Sequence, residues 1–219
     1  MDFDYIEKVL PLYCSAAKLT LSIGFTGILF SAVLGILCAV IRYWKIPVLN
    51  WIVKSYTELS RNTPLLIQLF FLYFALPKIG IKLSANQCGI IGLTFLGGSY
   101  MAETFRSAIE TVSKVQIESG QCIGLTNFQI VRYVILPQAA AVSVPGICAN
   151  IIFLIKETSM FSAIALADLM FVAKDLIGMD YKTTEAFFLL VIFYFIILLP
   201  VSLISYWAER RVRYAQFGS

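Results

Sequence analysis

Of 219 residues, 59% are hydrophobic and only 14% charged, against the roughly 25% charge of a soluble globular domain. One soluble core cannot hide so much apolar surface, but a bilayer can. The net charge is +4 and histidine is absent, which excludes His-activated nucleophiles and His metal sites. No catalytic residue and no metal site is expected. The cysteines Cys14, Cys38, Cys88, Cys122 and Cys148 form no CxxC pair and read as small, buried, inert thiols. The start, Met1-Asp2-Phe3-Asp4-Tyr5, is acidic where a signal peptide is basic.

A spanning helix needs roughly 20 apolar residues, and lipid forces the backbone to satisfy its own hydrogen bonds. Residues 1–18 precede the first such run. Ile6, Val9, Leu10 and Tyr13 recur there at helical spacing, which fits an amphipathic leader helix on the outer surface; a frayed leader is the other reading. Uncharged runs then follow at Leu19–Ile41, Leu83–Ala102, Tyr133–Ile155 and Ala186–Ala208. A shorter run, Asn62–Pro77, lies between Arg61 and Lys78 and reads as a fifth span. Thr158–Ala173 contains Asp168 and is too short to span, so a re-entrant or interfacial helix is expected. The fold class is therefore all-α: a polytopic membrane bundle of about five transmembrane helices, forming one domain over 1–219.

Five spans put the two termini on opposite sides. Arg42, Lys54, Arg61, Arg106, Lys114, Arg132 and the cluster Arg210, Arg211 and Arg213 favour a cytoplasmic C-terminus and an outer N-terminus. Trp44, Trp51, Tyr206 and Trp207 suit the membrane interface, and the aromatic-rich last span reads as lipid-facing or packing surface.

The segment 111–137 is too polar to span. Ser113-Lys114-Val115-Gln116 and Thr126-Asn127-Phe128-Gln129 both match capping boxes. Gly124 stands where a left-handed C-terminal cap needs glycine, and Pro137 restricts the second helix. The pattern predicts two helices around a tight glycine turn on the cytoplasmic side. Such an elbow either packs only against its own bundle or docks a cytoplasmic partner. Small Ser119 and Gly120 permit close approach, and Glu118 can anchor the turn.

Glu118-Ser119-Gly120-Gln121-Cys122-Ile123-Gly124-Leu125, with Val134-Ile135-Leu136-Pro137 downstream, resembles the EAA loop of bacterial ABC importer permeases, with Ser119 and Gly120 in place of two alanines. Three further motifs resemble the polar amino-acid branch, which includes histidine, glutamine and cystine permeases. Arg61-Asn62-Thr63-Pro64-Leu65-Leu66 is similar to its Arg-Gly-Thr-Pro-Leu-Leu. Tyr100-Met101-Ala102-Glu103-Thr104-Phe105-Arg106 is similar to its Tyr-x-x-Glu-x-x-Arg, and Lys156-Glu157-Thr158-Ser159 to its Lys-Asp-Thr-Ser. The resemblance covers about Leu19 to Trp207. It implies two permeases, identical or different, paired in the bacterial inner membrane, two cytoplasmic ATPase subunits docked beneath them, and an extracytoplasmic substrate-binding protein. Glu118, Ser119, Gly120, Gly124 and Leu125 would couple to the ATPase. No glycine is followed by lysine, so a phosphate-binding G-x-x-x-x-G-K-[ST] loop is absent. ATP and its Mg are thus expected on the partner ATPase, with no cofactor in this chain and no nucleic-acid partner.

Charges within apolar spans usually have a job. Lys156 could face a substrate carboxylate and Glu157 an ammonium group, beside Thr158 and Ser159; a structurally satisfied pair, or simple placement at the outer interface, is the alternative. Pro145-Gly146 is expected to break the same run and expose backbone for the cargo's charged ends. Arg61 and Thr63 form a second candidate group, with a positive-inside anchor as the other explanation for Arg61. Glu103 and Arg106, at i and i+3, read as a structural pair. The expected cargo is a polar or sulfur-containing amino acid, such as cystine or glutamine. An ion-coupled secondary transporter would explain the spans, but not the doubly capped elbow.

Overall fold

The computed structural model describes the backbone of residues 1–217 and the side chains as far as Val212. Arg213 of the C-terminal basic cluster lies outside the described side chains. Among the described residues every regular element is helical.

The first helix, α1 (Phe3–Tyr43), is continuous over 41 residues, about 60 Å at 1.5 Å per residue. The leader at 1–18 is therefore continuous with the helix of the first span and not a separate helix. Val9, Tyr13, Ala16 and Ala17 are buried in one core with residues of α8 (Leu169–Asp180) and α9 (Thr183–Phe217). The Tyr13 hydroxyl donates to the Ala186 carbonyl at 2.7 Å. This tertiary burial turns an apparently amphipathic segment inward. Pro11, inside this helix, does not end it.

The next pair, α2 (Pro47–Arg61) and α3 (Leu65–Phe70), is bent by 104° at residues 62–64. The short fifth run is thus the second limb of a broken element. From Phe71 the helix loosens into a π-turn to Ala75 and tightens into a 3-10 turn at Leu76–Ile79. Gly80, at φ +91°, ends it.

A long helix, α4 (Ala85–Glu110), lies at the centre of the bundle. It matches the run expected at Leu83–Ala102, yet is not among the helices apolar enough to cross by composition alone. Those are α1, the stretch Asn127–Ile164 and the last helix, with the bent pair as a possible fourth. The composition of α4 follows from its place. It faces protein, so its buried positions include Gly89, Gly92, Gly97, Gly98 and Ser99 in place of larger apolar residues. Small residues let helix backbones approach closely. A Cβ at Gly35 of α1 would stand 2.5 Å from the Met101 Cβ. Ser31 closes the seam, its single hydroxyl proton within reach of the Gly27 and Leu93 carbonyls at 2.7 and 3.0 Å.

After the elbow, described below, α6 (Asn127–Ile130) passes through a π-turn at Val131–Ile135 into α7 (Leu136–Glu157). Pro137 therefore does not end a helix. The wider turn before it removes the clash that proline makes with the preceding turn, as a π-turn also does before Pro77. Pro145-Gly146 does not break α7 either. Gly146 instead admits α4: a Cβ there would press on the Thr104 side chain. The break comes later, at the 3-10 turn Thr158–Ile164 and at Ala165, whose φ is +54°. Asp168, fully buried, caps α8 by accepting from the Met170 and Phe171 N–H groups at 3.2 and 3.0 Å. The segment Thr158–Ala173 is thus a turn and the start of a short helix, in keeping with a non-spanning element.

The bundle has two distinct ends. At one, the N-terminus meets the start of α9: Asp2 accepts from Lys182 Nζ at 3.0 Å and its N–H donates to Glu185 at 3.0 Å. Tyr5 donates to Asp180 at 2.7 Å beside them. At the other, Arg42 of α1 donates to Glu103 at 2.9 Å, and Arg106 pairs with both Glu103 and Glu110. The expected Glu103–Arg106 pair exists, widened into a four-residue network. Exposed Phe195, Ile196, Leu203 and Ile204 give α9 an apolar outer face, and Trp44, Trp51, Tyr206 and Trp207 are also exposed. Cys38, Cys88 and Cys148 are buried as expected, whereas Cys14 and Cys122 are exposed.

Candidate functional site

Two places gather the residues singled out by sequence: the elbow and the break between α2 and α3.

The elbow begins at α5 (Lys114–Cys122), whose first turn is capped by the Ser113 hydroxyl accepting from the Gln116 N–H at 3.4 Å. It ends in a Schellman turn. The Leu125 N–H donates to the Gly120 carbonyl at 3.0 Å, and the Gly124 N–H to the Gln121 carbonyl at 2.9 Å. Gly124 has φ +84°, a conformation that costs an L-residue roughly 1–2 kcal/mol. The second capping box is complete: Thr126 caps α6 and the Gln129 side chain accepts from the Thr126 N–H at 2.8 Å. Gly120 is buried, and a Cβ there would lie 3.3 Å from Ile130 and 3.5 Å from Leu125. Those residues join Ala108, Val112, Ile135 and Ala139 in one apolar cluster, and Gln138 donates to Gln116 at 2.9 Å. The elbow is thus fastened to the end of α4 and the start of α7. Its other side is bare. Glu118 and Ser119 are exposed, as are Val115, Ile123 and Phe128, the last two at 78% and 72%. The Glu118 carboxylate makes no hydrogen bond or ion pair with the described residues.

At the break, a cavity of ≈ 340 Å³ is lined by Arg61 and Thr63, by Tyr100 of α4, and by Phe153 and Glu157 of α7, among apolar neighbours. The Arg61 guanidinium lies over the Tyr100 ring at 5.3 Å, in cation–π range. Arg61 and Tyr100 also line an adjoining polar cavity of ≈ 320 Å³ with Glu103, Thr104 and Asn150. The Asn150 amide donates to the Thr104 hydroxyl there at 2.9 Å.

The structure therefore brings Arg61, Thr63 and Glu157 together and leaves Lys156, Thr158 and Ser159 off this cavity wall. The expected Lys156–Glu157 partnership fails because successive helix residues point about 100° apart. Lys156 is exposed. Thr158 is fully buried and donates to the Ile155 carbonyl at 2.6 Å, and Ser159 donates to the Lys156 carbonyl at 2.9 Å. Both hydroxyls are spent on the turn that follows α7. Tyr100 was not singled out as a lining residue, although the Tyr-x-x-Glu-x-x-Arg motif contains it.

A cavity with a cation on one wall, a carboxylate on another and apolar surface between complements a zwitterion. Guanidinium offers a planar fork to a carboxylate, and a carboxylate accepts from an ammonium group.

Comparison with known proteins adds four findings. A family model described as "Binding-protein-dependent transport system inner membrane component" matches residues 31–214. The chain is 34% identical over 217 residues to the probable amino-acid ABC transporter permease protein PatM of Vibrio harveyi, covering 98% of this chain and 97% of that one. It is 34% identical over 221 residues to the probable glutamine ABC transporter permease protein GlnP of Bacillus subtilis, covering 99% and 100%. Among solved structures, the fold matches a crystal structure of an amino acid ABC transporter with histidines. The TM-score is 0.90 and the identity 30%, over 96% of this chain and 99% of that chain.

Proposed function

This chain belongs to the inner-membrane components of binding-protein-dependent transport systems, and from that premise we propose that Arg61, Thr63 and Glu157 form its cargo site and that the elbow around Gly124 is its joint to a separate ATPase. It is a multi-pass inner-membrane permease of the ABC amino-acid importer type. The cargo is a polar amino acid, with glutamine the first to test given the relatives, and cystine the second.

One observation carries the cargo site: a guanidinium and a carboxylate from two different helices line one cavity. Arg61 holds the α-carboxylate and Glu157 the ammonium group, so both charged ends of the cargo exchange water for protein partners. Thr63, at the mouth of α3, faces the side chain. Thr158 and Ser159 act indirectly, by shaping the turn that fixes the end of α7. The apolar face of Val115, Ile123 and Phe128 supports the elbow's role, since an exposed patch of this kind marks an interaction surface. Nucleotide-driven closure of the ATPase, which carries ATP and Mg, would move α4 and α7 together, because the elbow packs on both. A second permease, as a copy or a relative, completes the pathway, and a substrate-binding protein feeds it from outside. The orientation proposed has the N-terminus outside and the elbow with the C-terminus in the cytoplasm. It rests on Lys114 and Arg132 near the elbow, on Arg210 and Arg211 at the end of α9, and on the separation of the two bundle ends.

The test is uptake of labelled glutamine and cystine by the whole importer in proteoliposomes. Arg61→Ala and Glu157→Gln are each expected to cut uptake at least tenfold, with ATPase and permease still co-purifying. Wild-type uptake in both variants would place the cargo elsewhere.

A further inference from the structure

We propose that Gln68 is a positioning residue that staples the break between α2 and α3 and so sets Arg61 and Thr63 at the cargo cavity. The proposal rests on the cargo role of those two residues.

Gln68 is the one amide in the apolar run from Leu65 to Phe74 and is 9% exposed. Its Nε2 donates to two carbonyls, Ser60 on the far side of the break at 3.1 Å and Thr63 within it at 2.9 Å. These carbonyls bracket Arg61 and Asn62. They belong to the last turn of α2 and the linker, where a helix leaves acceptors without intrahelical partners. One –NH₂ group, with its two donors, satisfies both. Its orientation is fixed, because a flipped amide would aim oxygen at two carbonyls.

The bond set continues into the bundle. The Ser60 hydroxyl donates to the Phe95 carbonyl of α4 at 2.9 Å, and the Tyr56 hydroxyl donates to the same carbonyl at 2.7 Å. The end of α2 is thus pinned to α4 from one side and clamped to α3 by Gln68 from the other. Thr63 sits between them, its hydroxyl donating to the Leu59 carbonyl at 2.8 Å. The 104° bend puts Arg61 over Tyr100 only while this arrangement lasts.

Gln68 Oε1 is buried with no hydrogen-bond partner among the described residues. An unsatisfied buried acceptor is uncommon and calls for a reason. Here the reason is the other end of the group: two donors to the break require an amide, and its oxygen is left on the apolar side. The side chain lines a cavity of ≈ 420 Å³ walled by Leu59, Ile67, Phe71 and Phe95.

The test uses the permease with its ATPase and binding protein. Gln68→Met keeps length and volume but removes both donors. Gln68→Glu keeps the shape and sets an acceptor against two carbonyls. Labelled glutamine is titrated onto the permease–ATPase complex, and uptake is measured in proteoliposomes. The dissociation constant is expected to rise about tenfold in Gln68→Met and further in Gln68→Glu, with maximal uptake at saturating substrate within about twofold of wild type. An unchanged constant in Gln68→Met, beside the loss in Arg61→Ala, overturns the staple and leaves the cargo site standing. An unchanged constant in Arg61→Ala removes the cargo site, and the staple with it. Failure of both Gln68 variants to assemble makes Gln68 a folding residue and also overturns the proposal.

Discussion

The elbow and the break between α2 and α3 are both interruptions between helices, yet they are built in opposite ways. The elbow is held by neighbours in sequence: Ser113 caps Gln116, Leu125 bonds back to Gly120, and Thr126 caps Gln129. The break has one local clamp, the Gln68 amide on the Ser60 and Thr63 carbonyls, but its surroundings come from far along the chain. Its cavity takes Arg61 from α2, Tyr100 from α4 and Glu157 from α7, and the Ser60 hydroxyl at the end of α2 donates to the Phe95 carbonyl of α4. A locally encoded turn can move as one piece against a partner. A site assembled from three helices changes shape whenever those helices shift, which suits the proposed role of binding a cargo and then releasing it.

The largest expected effect tests the local case. Gly124→Val forces a β-branched residue to φ +84°, at about 2 kcal/mol, and so opens the Schellman turn. ATP-driven uptake is expected to fall at least tenfold while the ATPase continues to hydrolyse ATP, measured in the same proteoliposomes. Normal coupled uptake would show that the elbow is not the joint.

The same contrast explains what could be read from sequence. The caps at Ser113 and Thr126 and the left-handed Gly124 were legible because each depends on residues within a turn of it. The helix beyond Thr126 was expected to stop near Pro137, but the π-turn at Val131–Ile135 carries it into α7, and nothing in the periodicity signals so wide a turn. Pro145-Gly146 looked like a break, yet Gly146 answers to Thr104 on another helix. Arg61, Thr63 and Glu157 were recognisable as charged or polar groups beside apolar runs. That they share a cavity depends on the bend at residues 62–64 and on α4, both tertiary facts. Lys156 was grouped with Glu157 by adjacency, which a helix undoes. The Ser84–Gln87 capping box at the start of α4 is also a local signal, one that sits inside an apolar run.

A smaller effect takes the nonlocal case to its weakest, solvent-exposed form. Asp2 and Lys182 pair across most of the chain at 3.0 Å. The hydrogen bond from Lys182 holds the Asp2 carboxyl below its usual value, and the bond to Asp2 raises Lys182. For Asp2 the folded value is the lower one, so its contribution is present above the unfolded value of about 3.9. That contribution disappears as pH falls through the folded value. For Lys182 the contribution is present below about 10.4 and is lost as pH rises through the raised value. Amide exchange at the first turns of α1 and α9 is therefore expected to quicken slightly below about pH 4, and in Asp2→Asn to lose that acid step. A step of equal size in Asp2→Asn would assign it to Glu185, whose carboxyl is also held low by its backbone hydrogen bonds.

The smallest expected effect separates two adjacent residues. If the cavity, and not the Lys-Glu-Thr-Ser string, defines the site, Lys156 contributes only an exposed charge at the end of α7. Lys156→Ala should then leave glutamine affinity and uptake within about twofold of wild type, the range of a surface substitution away from any special feature. Glu157→Gln, one residue further, should lose uptake at least tenfold. Equal losses in both would mean that the cargo reads the motif as a linear string, and that Lys156 swings inward in a state of the transport cycle with a different helix arrangement. The geometry argues against that: a rotation of α7 large enough to admit Lys156 would drag Gly146 off Thr104 and break the Asn150–Thr104 bond. The separation of the two residues is thus built into the same α4–α7 seam that holds the pocket.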